Sequence, residues 1–136
     1  MKISINYAKI DDLEYLLNHD SHVTKDMLEN KINREEIIIV RVDGKLSGLL
    51  RYNYFWDNIP FMNLLYIDKN FRRKGLGSKL VRCWEKRMKE KGYKMVMTST
   101  ISNEQAQFFY RKQGYKDTGC LLLENEPLEI LFTKNI

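Results

Sequence analysis

The chain reads as one mixed α/β domain, and three observations point there. Its 136 residues are one domain's worth of chain, and at that size roughly two thirds of the unfolded surface can be buried, enough for one real core. Apolar positions switch along the chain between a period of two and a period near 3.6, in the order β-α-α-β-β-β-α-β-α-β-β. The middle of that order is a strand–helix–strand unit, whose two strands the right-handed crossover rule makes parallel, among hairpin-linked strands that must be antiparallel. The expectation is a mixed sheet of about seven strands flanked by about four helices, residues 1–136 forming a single domain.

Each element has a local cause. Ile3 to Ala8 alternates apolar and polar side chains, as a strand with one buried face does. Asp11-Asp12 opens a helical pattern with Leu13, Leu16 and Leu17 on one face, and His19-Asp20-Ser21-His22 breaks it, setting both histidines in a loop. Thr24 is an N-cap for a second helix through Lys31 that turns Met27, Leu28 and Ile32 inward. Glu36 to Val42 is an apolar β-branched strand, Asp43-Gly44 a hairpin turn, and Leu46 to Trp56 the return strand. Phe61 to Asp68 is a fourth strand. The clearest helix runs from Leu76 to Lys91, with Leu76, Leu80, Val81, Trp84 and Met88 along one side and Gly92 as its stop. A strand from Tyr93 to Thr100 follows. Then come a helix from Asn103 to Gln113, with Ala106, Phe109 and Tyr110 on one face, and strands from Tyr115 to Leu123 and from Leu128 to Thr133. Pro60 and Pro127 stand at the starts of apolar runs, where a strand tolerates a missing N–H.

Composition narrows the class. Hydrophobic residues at 43% and charged residues at 30% fit a soluble globular chain and not a disordered one. No apolar run approaches the ~20 residues that span a bilayer. Met1-Lys2-Ile3-Ser4-Ile5-Asn6 has neither a long apolar stretch nor a small-residue cleavage site, so the expectation is a cytoplasmic protein with no membrane partner. Cys83 and Cys120 make no disulfide framework, Cys83 beside Trp84 reads as packing, and His19 with His22 makes no zinc set, so no metal is expected. The net charge of +5 is uneven: Arg72 to Lys94 holds ten Lys/Arg against two Glu, a local +8 that leaves −3 for the rest. Such a segment suits a phosphorylated cofactor, a nucleic acid or an anionic membrane. Lys79, Arg82, Lys86, Arg87 and Lys89 read as its solvated helix face.

The stretch Tyr66-Ile67-Asp68-Lys69-Asn70-Phe71-Arg72-Arg73-Lys74-Gly75-Leu76-Gly77-Ser78 ends a strand, crosses a basic glycine-containing loop and starts an amphipathic helix. Glycines permit close backbone approach and left-handed dihedrals. Amides at a helix start, with the positive end of the helix dipole, favour an anion. The segment is a phosphate cradle on physical grounds, and spacing says which kind. A Walker A loop fails because no glycine precedes Gly75 at the required interval, and a dinucleotide fingerprint fails because Leu80 stands where its third glycine belongs. Arg72-x-x-Gly75-x-Gly77 satisfies R/Q-x-x-G-x-G/A and resembles the coenzyme-A pyrophosphate loop of the GNAT superfamily of N-acetyltransferases. Asn103 to Tyr115 is similar to a second pattern of that family, N-x-x-A-x-x-F/L-Y-x-x-x-G-F/Y, at the expected place one strand after the Gly75 helix.

The resemblance is close from Asn63 to Tyr115 and looser elsewhere. It implies a sheet splayed between its fourth and fifth strands, acetyl-coenzyme A as cosubstrate, and direct transfer of the acetyl group to an amine. It implies that the amides of Arg73, Lys74, Gly75, Leu76, Gly77 and Ser78 hold the pyrophosphate and that Arg72 reaches the same phosphates. The strand backbone at Leu65, Tyr66 and Ile67 would pair with the pantetheine arm as an added strand does. Asn103 would contact the cofactor, a role compatible with capping its helix. Tyr110 would be the catalytic residue, its hydroxyl assisting departure of the thiolate; by its place on an apolar helix face it could equally be core.

One departure matters. Many family members carry a glutamate on the fourth strand as base or water holder, and here the stretch is Met62-Asn63-Leu64-Leu65-Tyr66, with no carboxylate. Asn63 can position a water but cannot take a proton at neutral pH. Candidates for a base elsewhere are Asp57, Glu126 and Glu129, or the proton leaves through water. The aromatic run Tyr52, Tyr54, Phe55 and Trp56, followed by Asp57, would wall an amine pocket by cation–π contact or else pack as core. Thr98, Ser99 and Thr100 would line its mouth. The first reading is an N-acetyltransferase acting on a small-molecule amine, as a monomer or homodimer and without nucleic acid, because the compact chain offers no extra module to grip a protein. Alternatives are a protein or peptide N-acetyltransferase, a non-catalytic acyl-coenzyme-A-binding fold, and a nucleic-acid-binding module. The acceptor, the acyl group and the oligomeric state are not written in the sequence.

Overall fold

The structure, a computed structural model, describes residues 1–136. The elements are β1 (Ile3–Tyr7), α1 (Leu13–His19), α2 (Lys25–Asn33), β2 (Ile37–Val42), β3 (Lys45–Phe55), β4 (Ile59–Ile67), α3 (Leu76–Glu90), β5 (Met95–Ile101), α4 (Ala106–Lys112), β6 (Lys116–Leu121) and β7 (Glu129–Asn135), with 3₁₀ turns at Ile10–Asp12 and Lys69–Phe71. Their order is the predicted one. The strands form one seven-stranded sheet in the order β1-β2-β3-β4-β5-β7-β6. β4 and β5 are parallel, registered at Phe61↔Met97 and Met62↔Thr98, whereas β5 pairs antiparallel with β7 along its whole length from Met95↔Asn135 to Ile101↔Glu129. The short parallel ladder is what the expected splay requires. None of the four α-helices is long and apolar enough to cross a membrane.

The chain packs as two compact units. The first comprises Met1–Tyr52 and Leu64–Trp84. Leu16 of α1 and Leu28 and Ile32 of α2 cluster with Ala8, Ile37, Ile39 and Leu49, and Tyr15, Leu64 and Tyr66 pack against that cluster. Ile37 to Val40 are all buried, so the sheet is covered on both faces here. The predicted stripe of the long helix is confirmed, with Leu76, Leu80, Val81, Trp84 and Met88 all buried. Thr24 caps α2, its hydroxyl accepting from the Met27 amide at 3.2 Å. Leu17 (41% exposed) and Met27 (45% exposed) do not turn inward as expected. Each sits one residue from an inward leucine, off the narrow stripe of a short helix. His19 is not in a loop: it is the last residue of α1, held there by its Nδ1 at 2.8 Å from the Tyr15 carbonyl. The connection that follows is pinned by Asp20, which is buried and accepts from Arg51 Nε at 2.5 Å. Breaking a buried pair of this kind costs about 3–5 kcal/mol.

The second unit comprises Asn53–Asn63 and Glu85–Ile136. Its core joins Met88, Val96, Tyr110, Tyr115, Ile130 and Phe132. Buried Glu85 accepts from the Tyr115 hydroxyl at 2.8 Å and from Lys134 Nζ at 3.0 Å. It is therefore internal and does not offset the exposed cations of α3. Several expected boundaries move, β5 and β7 by one or two residues at each end and α4 and β6 for visible reasons. α4 begins at Ala106, with Gln105 and not Asn103 at its N-cap. The backbone before it is spent on a turn: Glu104 N–H donates to Ile101 O at 3.0 Å, and Gln107 Nε2 donates to Ser102 O at 2.7 Å and Glu104 O at 2.9 Å. β6 begins at Lys116 because the Tyr115 amide closes α4 on the Tyr110 carbonyl at 3.0 Å. It ends at Leu121, leaving Leu122 (84% exposed) and Leu123 (39% exposed) in the connection to β7.

Candidate active site

In the first unit the chain leaves β4 at Ile67 and turns sharply. Asp68 N–H donates to Ser47 O at 2.8 Å and Phe71 N–H to Asp68 O at 2.8 Å, which winds Lys69–Phe71 into its 3₁₀ turn. Arg73 then has φ +61° and Gly75 φ +77°. Left-handed backbone costs an L-residue roughly 1–2 kcal/mol, so the strain at Arg73 is held in place by its surroundings. Such turns aim backbone amides into a concavity that suits an anion. Lys79 N–H donates to Gly75 O at 3.1 Å and starts α3, so the amides of Leu76 and Gly77 have no i−4 carbonyl within the helix. The two motif glycines differ in purpose. At Gly75 an added Cβ would meet nothing within 4 Å, so glycine serves its positive φ. Gly77 lies inside α3 without a positive φ, so its contribution is the missing side chain.

The cations of the loop are placed rather than loose. Arg72 is exposed, yet its Nε donates to Ile67 O at 2.7 Å and its guanidinium lies over the Tyr66 ring at 5.7 Å. Lys74 lies over Phe71 at 5.7 Å. Leu65, Tyr66 and Ile67 are half-buried on the last turn of β4. An added Cβ at Gly48 would come within 2.6 Å of the Tyr66 carbonyl, so β3 presses closely on this stretch. Lys79, Arg82, Lys86 and Lys89 are exposed on α3 as expected, whereas Arg87, expected on the same solvated face, is half-buried.

In the second unit Tyr110 is buried (7% exposed) with its ring 5.9 Å from Tyr115 and 6.0 Å from Phe132. Its hydroxyl is hydrogen-bonded to Thr98. Thr98 in turn donates from Oγ1 to Met62 O at 2.9 Å. Burial pushes the Tyr110 phenol above its ordinary value, the Thr98 contact partly opposes this, and the charge of Glu104 adds to it. Tyr110 is thus both core and the buried end of a hydroxyl chain.

The remaining candidates differ in exposure. Asn103 and Glu126 are exposed, Ser99 is half-buried on β5 and Glu129 half-buried at the start of β7. Asn63 is exposed on β4, its Nδ2 donating to Asn53 Oδ1 at 2.6 Å. The aromatic run divides. Tyr52 is fully buried, with its hydroxyl on Glu35 O at 2.9 Å, and is core rather than pocket wall. Tyr54 packs on Tyr93 at 5.6 Å and Phe55 on Phe61 at 6.1 Å. Trp56 is not on the strand: with Asp57 it makes the β3–β4 turn, at φ +54° and +61°, and is 77% exposed. Sequence reasoning missed the side chain of Tyr66 and its neighbours Tyr15, His19 and Asp68. The available signal was an aromatic ring six residues before the motif arginine; their meeting with α1 needed the fold.

Three solved structures are similar over essentially the whole chain. Ard1 from Thermoplasma volcanium has a TM-score of 0.85 at 18% identity, with 100% of this chain and 99% of that one covered. A GNAT-family acetyltransferase from Bacillus cereus ATCC 10987 has a TM-score of 0.80 at 25% identity, covering 99% and 98%. PaiA N-acetyltransferase from Thermoplasma acidophilum, in complex with coenzyme A, has a TM-score of 0.79 at 20% identity, covering 100% of both. No curated protein matches the sequence. The family model for the acetyltransferase (GNAT) family matches residues 7–115, the span that carries both motifs and the cradle, and the chain belongs to that family.

Proposed function

We propose that the protein transfers the acetyl group of acetyl-coenzyme A directly to the primary amine of a small molecule. The observation that carries this reading is the backbone cradle from Arg73 to Ser78, whose turned amides and flanking cations fit a pyrophosphate. Coenzyme A bound to PaiA, a protein of the same fold, supports it. When bound, the cofactor supplies an activated acyl group and a thiolate leaving group.

Within this reading Arg72 pairs with phosphate, the backbone of Leu65, Tyr66 and Ile67 offers strand-edge hydrogen bonds to the pantetheine, and Asn103 makes a further cofactor contact. The amine nitrogen bonds to the acyl carbon, the carbon–sulfur bond breaks with its electron pair leaving on sulfur, and the surplus proton of the nitrogen passes through water to the thiolate. Tyr110 donates a hydrogen bond to that sulfur. An ordinary phenol near ~10 is already a weaker acid than a thiol near ~8.5, so full transfer is uphill by about 2 kcal/mol. Burial of Tyr110 widens the gap, which favours a hydrogen bond that strengthens late over early protonation.

The amine must first lose a proton. From an ordinary ~10.4 to pH 7 this costs roughly 4–5 kcal/mol. The strand position where a carboxylate is common holds Asn63, whose amide is bonded to Asn53. We take water as the proton acceptor, with Asn63 or Ser99 positioning it. A small acceptor is favoured by the connection Asp20 to Thr24, which is short and pinned by Asp20 to Arg51, leaving little chain to grip a polymer.

The test is thiol release from acetyl-coenzyme A against a panel of amines, amino acids, aminoglycosides and peptides, followed with pH for two acceptors of different pKa. Turnover on a small amine, with a rate rise that moves with the acceptor's own pKa, is expected. A fixed inflection lost in Asp57→Asn, Glu126→Gln or Glu129→Gln would instead identify a protein base. Turnover on peptides alone would make the protein a peptide acetyltransferase. Tight binding without turnover would make it an acyl-coenzyme-A-binding protein.

A further inference from the structure

We propose that the side chain of Tyr66 is a positioning residue for Arg72, the platform of a stacked column that holds the arginine ready for an anionic pyrophosphate. This rests on the cofactor reading above and adds a role that the motif does not contain. The motif admits an arginine or a glutamine; it does not say why a long, exposed side chain should wait in one place.

The column can be followed ring by ring within the first unit. The Arg72 guanidinium lies over Tyr66 at 5.7 Å. Tyr66 lies 5.2 Å from His19, and His19 stacks on Tyr15 at 4.2 Å. Asp68 ties the far end, accepting from the Tyr15 hydroxyl at 2.9 Å and standing 3.7 Å from His19 Nε2. Asp68 is itself fixed by its amide on Ser47 O at 2.8 Å. His19 cannot swing away, because its Nδ1 is at 2.8 Å from the Tyr15 carbonyl. Tyr66 is half-buried and packs against the α1–α2 core. The platform is therefore rigid from behind, and its outward face carries the guanidinium.

The chemistry follows from what is left over. A guanidinium has five N–H donors in a fixed plane. The Nε–H of Arg72 is spent on Ile67 O, and the ring takes one face without consuming a donor. The two terminal nitrogens keep all their hydrogens, in the paired geometry that suits phosphate oxygens. Arginine loses considerable rotamer freedom when it is fixed by a ligand, and a side chain already held by a backbone carbonyl and a ring has less to lose. The two points of attachment, Tyr66 and Ile67, are neighbours on β4, so the arginine is referred to the same strand that would carry the pantetheine. Lys74 over Phe71 at 5.7 Å repeats the arrangement one residue before Gly75.

The experiment is a double-mutant cycle on coenzyme A affinity, measured by calorimetry at fixed salt, with Tyr66→Leu, Arg72→Ala and the pair. Circular dichroism and thermal melting check the fold of each. Tyr66→Leu is expected to weaken binding by about 5–10-fold and Arg72→Ala by about 10–50-fold, with the double variant no weaker than Arg72→Ala alone, since a missing arginine has nothing to be positioned. Tyr66→Phe keeps the ring and is expected to bind within about 2-fold of wild type. Multiplying effects in the double variant, or full affinity in Tyr66→Leu, overturns the proposal. Nuclear magnetic relaxation of Arg72 Nε–H in the ligand-free protein reads the same device without a cofactor. An order parameter that is high in wild type and Tyr66→Phe and falls in Tyr66→Leu supports the column, and equal values in all three overturn it. Failure of wild type to bind coenzyme A would overturn the cofactor reading, while the relaxation data would still decide whether the column holds Arg72.

Discussion

The loop from Asp68 to Gly75 and the connection from Leu121 to Glu129 are both largely exposed, and for different reasons. The first is exposed but held: a 3₁₀ turn, a backbone bond to β3, two left-handed residues and two cations parked on aromatic rings. The second is exposed and slack. Leu121, Leu122 and Leu123 are 50%, 84% and 39% exposed, and Glu126 N–H reaches Leu123 O only at 3.5 Å. Glu124, Glu126 and Glu129 carry its charge, and no Lys or Arg lies between Asp117 and Thr133. A rigid anion cradle can be built from backbone and a few obligatory residue types. Recognition by side chains on a slack, acidic, leucine-rich connection has no such short grammar.

The largest effect expected from this comparison is at Gly77. Gly77→Val puts a branched side chain among the first-turn amides of α3 and should weaken coenzyme A binding by at least about 100-fold while the fold persists, because the amides act only at close backbone approach. Calorimetry on the folded variant checks it. Equal affinity would mean that the held loop is structural and that the contrast with the slack one has no functional content.

Next in size is Tyr110. Tyr110→Phe preserves the packing on Tyr115 and Phe132 and removes one hydroxyl. It should lower kcat by about 100-fold, within the range for positioned proton donors, with little change in KM for acetyl-coenzyme A. Thr98→Val removes the hydroxyl partner of Tyr110 and a donor to Met62 O, and should cost about 10-fold in kcat, the scale of one hydrogen bond at roughly 1.4 kcal/mol. A wild-type kcat in Tyr110→Phe would leave Tyr110 as core alone.

How much of this was legible in the sequence follows the same division. The order of elements was readable because period, caps and turn pairs act locally: Thr24 caps α2, Asp43-Gly44 turns, and Gly92 takes the left-handed φ that ends α3. The turn into α3 was readable because Gly75 supplies its left-handed φ locally. The start of α4 was misplaced because Gln107 folds back on Ser102 and Glu104, a tertiary economy that propensity does not see. The division of the aromatic run was not readable, because the fold sends Tyr52 into a core and Trp56 into an exposed turn. The Tyr15–His19–Tyr66–Arg72 column joins residues 57 positions apart at its ends, which no window along the sequence contains.

A pH measurement sharpens the description of the second unit. Burial raises the phenols of both Tyr110 and Tyr115, and Glu85 against Tyr115 adds to it. A raised folded pKa means that the native state keeps a proton which the unfolded chain releases above an ordinary tyrosine value of ~10. The stability linked to these groups is therefore fully present below pH ~10 and lost as pH rises above it, each withheld ionisation steepening the fall by about 1.4 kcal/mol per pH unit. Absorbance at 295 nm should show Tyr110 and Tyr115, together with Tyr15, whose phenol burial and Asp68 also raise, ionising only as the fold melts. Tyr110→Phe with Tyr115→Phe should flatten the alkaline limb. Reversible ionisation of both below the melting pH would show that the hydroxyl chain is open to solvent.

The smallest effect concerns two turns of one geometry. Asp43-Gly44 has φ +50° and +83°, and Trp56-Asp57 has φ +54° and +61°. The first uses a pair suited to a two-residue hairpin with both φ positive; the second puts a tryptophan and an aspartate where glycine and asparagine belong. Asn58 N–H still closes the turn on Phe55 O at 3.1 Å. Replacing Trp56-Asp57 by Asn-Gly relieves left-handed strain at the position where glycine enters, and should stabilise the protein by about 1 kcal/mol. That corresponds to a rise in Tm of about 3–5 °C for a chain of this size. The same variant tests the acceptor side, because it deletes the exposed ring and the carboxylate together. An acceptor KM and a kcat that both stay constant while Tm rises make Trp56 a strained surface residue and remove Asp57 from the list of bases. An acceptor KM that climbs several-fold, with KM for acetyl-coenzyme A unchanged, would place the turn in acceptor recognition and account for the strain that the sequence keeps there.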